Sequence, residues 1–270
     1  MVSLQRIILY LLLVVICVLW LVPVFGIIIA SFKSMSEIWT DPWSFPKQIT
    51  LRYFVDAWKA LSPFFINSVI ITIPATLLSV FIASLAAYSL ARLKFVASNL
   101  IFLLLVSGLI IPGQAAMVPL YHLIDKMKMV NTYRGLILIH IAWGQPICVF
   151  ILARFFATIP SELQDAASID GCSVIGIYWR IIMPLAKSSL AVILIFQFTW
   201  IWNDFLWGLI FANTISHGPI NIGLSRIKGE YLAVWNVQSA GALLAIIPTL
   251  IVFLLFQKHF VRGIMTGAIK

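Results

Sequence analysis

Few residues of this chain could do chemistry, and they lie far apart. The 270 positions hold nine acidic residues, four histidines and three cysteines, Cys17, Cys148 and Cys172. Enzymatic sites need paired carboxylates, a nucleophile beside a base, or a cluster of metal ligands. None of these arrangements is visible, and the cysteines have neither zinc nor disulfide spacing. The sequence therefore predicts a protein that is not an enzyme, with no metal and no cofactor.

The polar residues that stand out form a short predicted helix between Pro160 and Gly171. Ser161 with Gln164 three residues later is a capping-box pattern, which begins a helix. Gly171 can take the left-handed conformation that ends one. The helix would have about nine residues and a length of about 13 Å, so it is too short to span a membrane.

This predicted helix has a surface suited to a protein partner. Glu162 and Asp165 lie near its N-terminus, where negative charge is favourable. A helix lying on lipid headgroups would carry Lys and Arg on its polar face, but this one carries acids and alanines. The two alanines would let a partner's groove approach the backbone. Three-and-four spacing predicts one face formed by Leu163, Ala166, Ala167 and Asp170.

The elements around this helix are built for lipid. The chain is 62% hydrophobic and 10% charged, whereas soluble domains carry about 25% charged residues. The net charge of +9 is attributed to Lys and Arg at helix ends beside anionic lipid, not to nucleic-acid binding. We expect an all-α polytopic membrane protein, one domain over 1–270. Six apolar runs are long enough to span: Ile7–Ala30, Phe64–Ala91, Leu100–Leu120, Leu136–Phe156, Leu185–Phe211 and Val237–Phe260.

Polar residues within or beside these runs are candidates for a transport path. Asp204 is the only acid inside the six runs, and Asn203 precedes it. With two flanking tryptophans, this group has the amide, carboxylate and aromatic faces that bind a sugar. Two structural roles remain open: Asp204 faces water at the outer interface, or it pairs with Asn or Lys of a neighbouring helix. Asn236 and Ser239, at the start of the last run, are further path candidates.

One motif carries a resemblance to a known family. The segment 165–171 reads Asp-Ala-Ala-Ser-Ile-Asp-Gly, and 183–185 reads Met-Pro-Leu. It resembles the cytoplasmic loop of permease subunits of ATP-binding-cassette (ABC) importers, which runs Glu-Ala-Ala, two residues, Asp-Gly, about a dozen residues, then Leu-Pro. Asp165 replaces the usual Glu, which shortens the carboxylate arm, and Met183 replaces the usual Leu.

The resemblance covers nearly the whole chain. It favours the carbohydrate branch of the family, and within that branch the chain resembles the six-helix permease of the maltose type. Further matching blocks are Phe65–Ser68, Ala87–Arg92, Asn131–Gly135, Trp202–Phe205, Phe260–Gly263 and Thr266–Ala268. The resemblance implies the fold of a type I ABC importer permease, with a cytoplasmic coupling helix at 161–171 between the fourth and fifth spans. Residues implied to couple to the ATPase are Glu162, Asp165, Ala166, Ala167, Asp170 and Gly171.

The resemblance also implies partners and an orientation. Two copies of a cytoplasmic ABC ATPase, a second homologous permease and an extracytoplasmic sugar-binding protein would complete the importer. Both termini would be cytoplasmic, in a bacterial inner membrane, and the tail from Arg262 to Lys270 would reach the ATPase interface. The 212–236 loop would be extracytoplasmic and contact the binding protein through His217, Gly218, Pro219 and Gly223.

Two other functions stay open at this point. An ion-coupled secondary transporter is typically built with several buried acids or paired broken helices. An ABC importer for a solute other than a sugar would share the same loop motif. In each case the chain would bind no nucleotide itself, because it has no Gly-rich phosphate-binding loop followed by Lys and Ser or Thr.

Overall fold

The computed structural model describes residues 4–93, 95–227 and 234–268, and the side chains of these ranges as far as 258. Helices are the only regular secondary structure in these ranges. The first seven helices are α1 Leu4–Ala30, α2 Met35–Thr40, α3 Arg52–Arg92, α4 Ser98–Ser107, α5 Gly113–Lys126, α6 Tyr133–Thr158 and α7 Ser161–Ile169. The others are α8 Val174–Ile177, a π-helical turn Tyr178–Ile182, α9 Met183–Leu185, α10 Lys187–Trp202, α11 Leu206–Phe211, α12 Ile220–Arg226 and α13 Trp235–Ala268.

The helices confirm an all-α integral membrane protein. In the described ranges, four helices are long and apolar enough to cross a membrane: Leu4–Ala30, Arg52–Arg92, Tyr133–Thr158 and Trp235–Lys258. A fifth span results if Val174–Leu185 and Lys187–Trp202, which meet at a bend of 78°, are counted as one. The expected number of six spans is not confirmed.

The third expected span, 100–120, is not one continuous helix. It is divided between α4, which ends at Ser107, and α5, which begins at Gly113. Pro112 lies at the break; proline has no N–H to donate and disfavours helical geometry in the residue before it. Gly108 lies so close to α6 that an added Cβ would be 2.9 Å from Pro146 Cγ. A hydropathy window does not detect such a break, because most of the residues around it are apolar.

The chain forms two compact units, residues 1–65 with 220–247, and residues 66–219 with 248–270. In the first unit, the segment after α1 is ordered by Lys33, which is fully buried. Its ammonium group donates to the carbonyls of Asp41 (2.6 Å) and Pro42 (3.1 Å) and to Ser44 Oγ (3.1 Å). A buried ammonium group is tolerated when such oxygen partners replace its water.

Glu37 supports the same segment. Its carboxylate accepts hydrogen bonds from the backbone N–H groups of Ser34 (2.9 Å) and Lys47 (3.0 Å). These backbone donors, with the Ser34 hydroxyl, lower the pKa of Glu37. The lowered pKa means that this contribution to stability is present above the usual pKa of Glu and is lost as the pH falls through the folded-state pKa.

The second unit contains two apolar clusters. One joins α3, α6 and the 159–193 segment through buried residues that include Tyr88, Leu152, Phe156 and Tyr178. The other joins α3, α5, α6, α10 and α11 through residues that include Ile71, Leu136, Ile201 and Phe211. The first cluster supports the short polar helix α7, and the second supports the region of Asp204.

Candidate functional site

The short polar helix α7 spans Ser161–Ile169, within the predicted range 161–171. The predicted capping box is wrong, because Ser161 is the first helical residue and Pro160 occupies the N-cap position without a side-chain cap bond. The N–H groups that an N-cap side chain would satisfy therefore have no side-chain partner from the cap position.

The C-terminus of α7 confirms the role predicted for Gly171. This glycine has a φ of +80°, in the left-handed region that favours glycine. Its N–H donates to Ser168 O (3.1 Å), and the Cys172 N–H donates to Ala167 O (2.9 Å). These two bonds form a Schellman motif, which satisfies the last carbonyls of the helix and turns the chain back sharply.

The predicted accessible face of α7 requires a correction. Ala167 is buried within the apolar cluster, with only 7% of its surface exposed, so it faces the protein's own core. The small side chain allows the α7 backbone to approach that core closely. Among the exposed residues, four lie on the side of α7 opposite Ala167 by three-and-four spacing; they are Glu162, Asp165, Ala166 and Ile169.

Ile169 was not among the predicted coupling residues, although 86% of its surface is exposed. It lies one turn from Asp165 and Ala166. An apolar side chain beside two carboxylates gives this surface a mixed character suited to a protein groove. Leu163 is exposed too. Asp170 and Gly171 are also exposed, so five of the six predicted coupling residues remain accessible and Ala167 does not.

Hydrogen bonds from α3 hold both flanks of α7. Before the helix, an Arg92 guanidinium N–H donates to Ile159 O. After the helix, Tyr88 Oη donates to Val174 O (3.3 Å), and Ser84 Oγ lies 2.7 Å from Tyr178 Oη. The helix is therefore attached to one neighbouring element at both ends.

Asp204 lies between α10 and α11, with 9% of its side chain exposed. Its two carboxylate oxygens accept the N–H groups of Trp207 (3.3 Å) and Gly208 (3.0 Å), in the first turn of α11. Its Oδ2 also lies 3.9 Å from Nε2 of buried His140. The structural alternative thus has a specific form: Asp204 caps α11 and faces a histidine, where the sequence suggested Asn or Lys.

The other path candidates lie in different settings. Asn203 is exposed, and its amide donates to Thr199 O (2.9 Å) within its own helix. In the first unit, Asn236 is 3% exposed and accepts the Val237 N–H (2.9 Å), while Ser239 is half-buried. Among these four residues, the second unit holds the adjacent pair Asn203 and Asp204.

A buried polar cluster between α3, α6 and α10 was missed by the sequence reasoning. Gln197 donates to Ser79 Oγ (3.3 Å) and accepts from Cys148 Sγ (3.8 Å). Gln145 donates to Ser79 O (3.2 Å). The side chains were visible as isolated polar residues in apolar runs, but their pairing needs three helices to meet.

Three of the four predicted binding-protein contacts in the 212–236 loop are buried in the chain. They are Gly218, Pro219 and Gly223. Gly218 O accepts the Asn67 amide (3.0 Å), and an added Cβ on Gly223 would lie 2.6 Å from the Phe64 ring. His217 is half-buried, with its ring 4.6 Å from that of Tyr133. Residues 228–233 of the predicted loop lie outside the described residues, as do 269 and 270 of the predicted tail.

The sequence profile of one transport family matches residues 2–266. The family is described as the inner membrane component of binding-protein-dependent transport systems. The chain belongs to this family. Its members are permeases, so the exposed face of α7 and the Asp204 region are parts of a permease.

Similar proteins cover nearly the full length of this permease. A probable ABC transporter permease protein of Pyrococcus horikoshii is 33% identical, over 93% of each chain. A melibiose/raffinose/stachyose import permease protein of Bacillus subtilis is 35% identical, over 92% of this chain and 91% of its own length. An arabinooligosaccharides transport system permease protein of Halalkalibacterium halodurans is 35% identical, over 92% and 90%.

A solved structure supports the permease fold. A chain of a bacterial ABC transporter involved in alginate import superimposes with a TM-score of 0.84, covering 95% of this permease and 96% of that chain. The sequence identity is 18%, so the likeness concerns the fold alone. It confirms the fold class inferred from the loop motif.

Proposed function

We propose that this permease is half of the translocation pathway of an ATP-driven, binding-protein-dependent sugar importer. The observation that carries the proposal is similarity over nearly the whole chain to permeases named for melibiose, raffinose and stachyose and for arabinooligosaccharides. Full-length similarity includes the spans as well as the loop motif. The substrate class proposed is therefore an oligosaccharide.

The exposed face of α7 is the proposed contact with a cytoplasmic ATPase. Glu162 and Asp165 supply negative charge, Ala166 leaves the backbone accessible, and Ile169 supplies an apolar contact. Asp170 and the turn at Gly171 complete this surface. The face projects from a helix that is attached at both ends, so a force on it reaches the spans. This assignment places α7 and both termini in the cytoplasm and the 212–236 loop outside.

The proposed assembly has two permeases, two ATPases and an external sugar-binding protein, in the cytoplasmic membrane of a bacterium. Closure of the ATPases on ATP would draw the two coupling helices together, and the spans would then open outward to receive sugar. This is a rigid-body form of alternating access. The permease itself contributes binding and motion and no covalent step.

A path for sugar past Asn203, Asp204, Asn236 and Ser239 remains part of the proposal. Asn203 is the exposed member and offers an amide to sugar hydroxyls. The Asp204 carboxylate already accepts two backbone N–H groups and faces His140. We therefore assign Asp204 the shaping of α11 beside the path, with Asn203 as the direct contact.

The test is uptake into proteoliposomes that contain the permease, its partner permease and the ATPase. Labelled raffinose, arabinotriose and maltotriose are supplied with the purified binding protein. We expect uptake of at least one of these sugars that requires both ATP inside and binding protein outside. Uptake driven by an ion gradient without ATP would contradict the importer assignment. ATP-driven uptake of a non-sugar solute, with none of any sugar, would contradict the substrate class.

A further inference from the structure

Three polar residues of α3 lie in one row that faces the segments on either side of α7. Ser84, Tyr88 and Arg92 are four residues apart, and this spacing places them on one side of a helix. Ser84 and Tyr88 are buried, at 0% and 4% exposure. We call Ser84, Tyr88 and Arg92 the polar row.

Arg92, the C-terminal residue of the polar row, bonds the chain just before α7. Arg92 donates to the carbonyl of Ile159, next to the N-cap residue Pro160. The Nε of Arg92 is buried, and it has no hydrogen-bond partner within the described part of the chain. A buried donor left without a partner costs free energy. Arg92 thus keeps a spare donor beside the segment that leads into α7.

The other two residues of the polar row, Tyr88 and Ser84, contact the chain after α7. Tyr88 donates to the Val174 carbonyl at 3.3 Å. Ser84 Oγ donates to Phe81 O at 2.7 Å, and a hydroxyl has one proton to give. In the 2.7 Å contact between Ser84 and Tyr178, Tyr178 is therefore the donor. The rings of Tyr88 and Tyr178 pack with their centroids 5.3 Å apart.

The contact with Tyr178 falls where the helix geometry changes. A π-helical turn begins at Tyr178 and ends at Ile182. Such turns are rare and are frequently found at functional sites. Because a π turn has one residue more than an α turn, it changes the direction of the side chains that follow. Tyr178 is thus the last contact of the polar row before the bend that leads into α10.

We propose that the polar row positions the coupling helix and transmits its displacement to α3. This inference rests on the proposed function. The row bonds both flanks of α7, so a movement of α7 along or across its axis changes at least one of the three bonds. The unpartnered Arg92 Nε is a donor that a displaced flank of α7 can bond, whereas transmission through the row requires two discrete arrangements.

The first experiment removes single hydroxyl groups in the reconstituted importer. Tyr88→Phe keeps the ring contact and deletes one donor, and Ser84→Ala deletes the acceptor of Tyr178. We expect the number of ATP molecules hydrolysed per sugar imported to rise about fivefold, the equivalent of one hydrogen bond. Co-purification of the ATPase with the permease and its basal hydrolysis should stay at wild-type levels.

The matched control is Ser89→Ala on the same helix. Ser89 Oγ bonds only Leu85 O of its own helix in the described contacts, so the ratio of ATP to sugar should not change. A rise in Ser89→Ala equal to that in Ser84→Ala would contradict the proposal, because loss of any hydroxyl from α3 would then suffice.

The second experiment uses Arg92. Arg92→Lys keeps a charged donor, and Arg92→Gln removes the charge and shortens the side chain. We expect Gln to raise the ratio of ATP to sugar more than Lys does. An unchanged ratio in both Tyr88→Phe and Arg92→Gln would overturn the proposal. A parallel fall of uptake and hydrolysis together with poor assembly would also overturn it, since a purely structural role gives that result.

Loss of sugar import and loss of the positioning role give different experimental results. If the wild-type complex imports no sugar with ATP, the proposed function is wrong before any variant is made. If the wild-type complex imports sugar and the polar-row variants keep the wild-type ratio, only the positioning role is wrong.

Discussion

At the scale of single residues, close approach between α6 and α10 depends on Gly144. An added Cβ there would lie 2.0 Å from Gln197 Nε2 and 2.7 Å from Ser79 Oγ. Both atoms belong to the buried polar cluster, where a displaced amide loses its hydrogen bonds. The packing of α6 against α10 therefore leaves no room for a side chain larger than the hydrogen atom of glycine at position 144.

We expect Gly144→Ala to destabilise the permease by about 1–3 kcal/mol, as overpacking of a close contact does. Thermal unfolding of the purified chain in detergent measures this loss. The matched control is Gly26→Ala in α1, where the added Cβ would meet Trp43 at an ordinary 3.6 Å. Equal melting temperatures for Gly144→Ala and wild type would show that the polar cluster adjusts freely.

Asp204 gives the second prediction at this scale. Asp204→Asn keeps one oxygen acceptor, so a cap bond to α11 is lost together with the charge beside His140. We expect a loss of about 1 kcal/mol in stability, typical of a helix cap, with unchanged selectivity among sugars. The double variant Asp204→Asn with His140→Asn should lose less than the sum of the single variants, because the two residues are neighbours. A strong change in sugar selectivity without loss of stability would instead make Asp204 a direct sugar contact.

At the scale of elements, α7 presents two adjacent alanines to different surroundings. Ala166 is exposed, while Ala167 is buried in the apolar cluster. The same substitution at both positions therefore separates docking from folding.

Ala166→Phe should leave thermal stability unchanged and abolish co-purification of the ATPase, because the ring would hold the partner's groove off the backbone. Ala167→Phe should lower stability by about 1–3 kcal/mol through overpacking. Thermal unfolding of the permease and co-purification from membranes provide the two measurements. Normal ATPase binding by Ala166→Phe would exclude this face as the docking surface.

The sequence predicted a short helix in this segment and its glycine terminus, but not which side faces inward. Gly171 acts locally, through backbone geometry, so its role can be predicted without knowing the fold, whereas the capping box expected at Ser161 was wrong. The side that faces the core depends on where α3 and α6 meet the helix, and small residues occur on both sides of α7. Asp204 shows the same limit, because its carboxylate was visible but its partner His140 lies in another helix.

The spans show where hydropathy is informative and where it is not. The run 136–156 lies within α6, Tyr133–Thr158. The run 100–120 is broken near Pro112. The run 185–211 has a bend at its start, between Leu185 and Lys187, and its helix α10 ends at Trp202. Average hydropathy measures transfer to lipid, whereas breaks depend on individual prolines, glycines and tertiary contacts.

At the scale of the whole molecule, the proposed importer requires communication with an external binding protein. Gly218, Pro219 and Gly223 are buried, so we propose the residues between α12 and α13 as the contact with the binding protein. A deletion of 228–233 removes none of these three residues and no residue of α12 or α13.

We expect this deletion to reduce the stimulation of ATP hydrolysis by sugar-loaded binding protein while basal hydrolysis continues. The deletion shortens the proposed contact and leaves α7, the proposed contact with the ATPase, unchanged. Hydrolysis by the reconstituted complex, with and without loaded binding protein, gives the result. Full stimulation of the shortened permease would remove this segment from the contact.

The buried ammonium group of Lys33 makes this chain its own reporter of unfolding. Acylating reagents modify amines that solvent can reach, and Lys33 is fully buried while Lys47 is exposed. Brief treatment of the native permease, followed by peptide mass spectrometry, should therefore find Lys47 modified and Lys33 protected. Gradual heating should expose Lys33 to the reagent only when its bonds to Asp41, Pro42 and Ser44 break. Modification of this one lysine therefore reports the temperature at which the segment opens, without any introduced label.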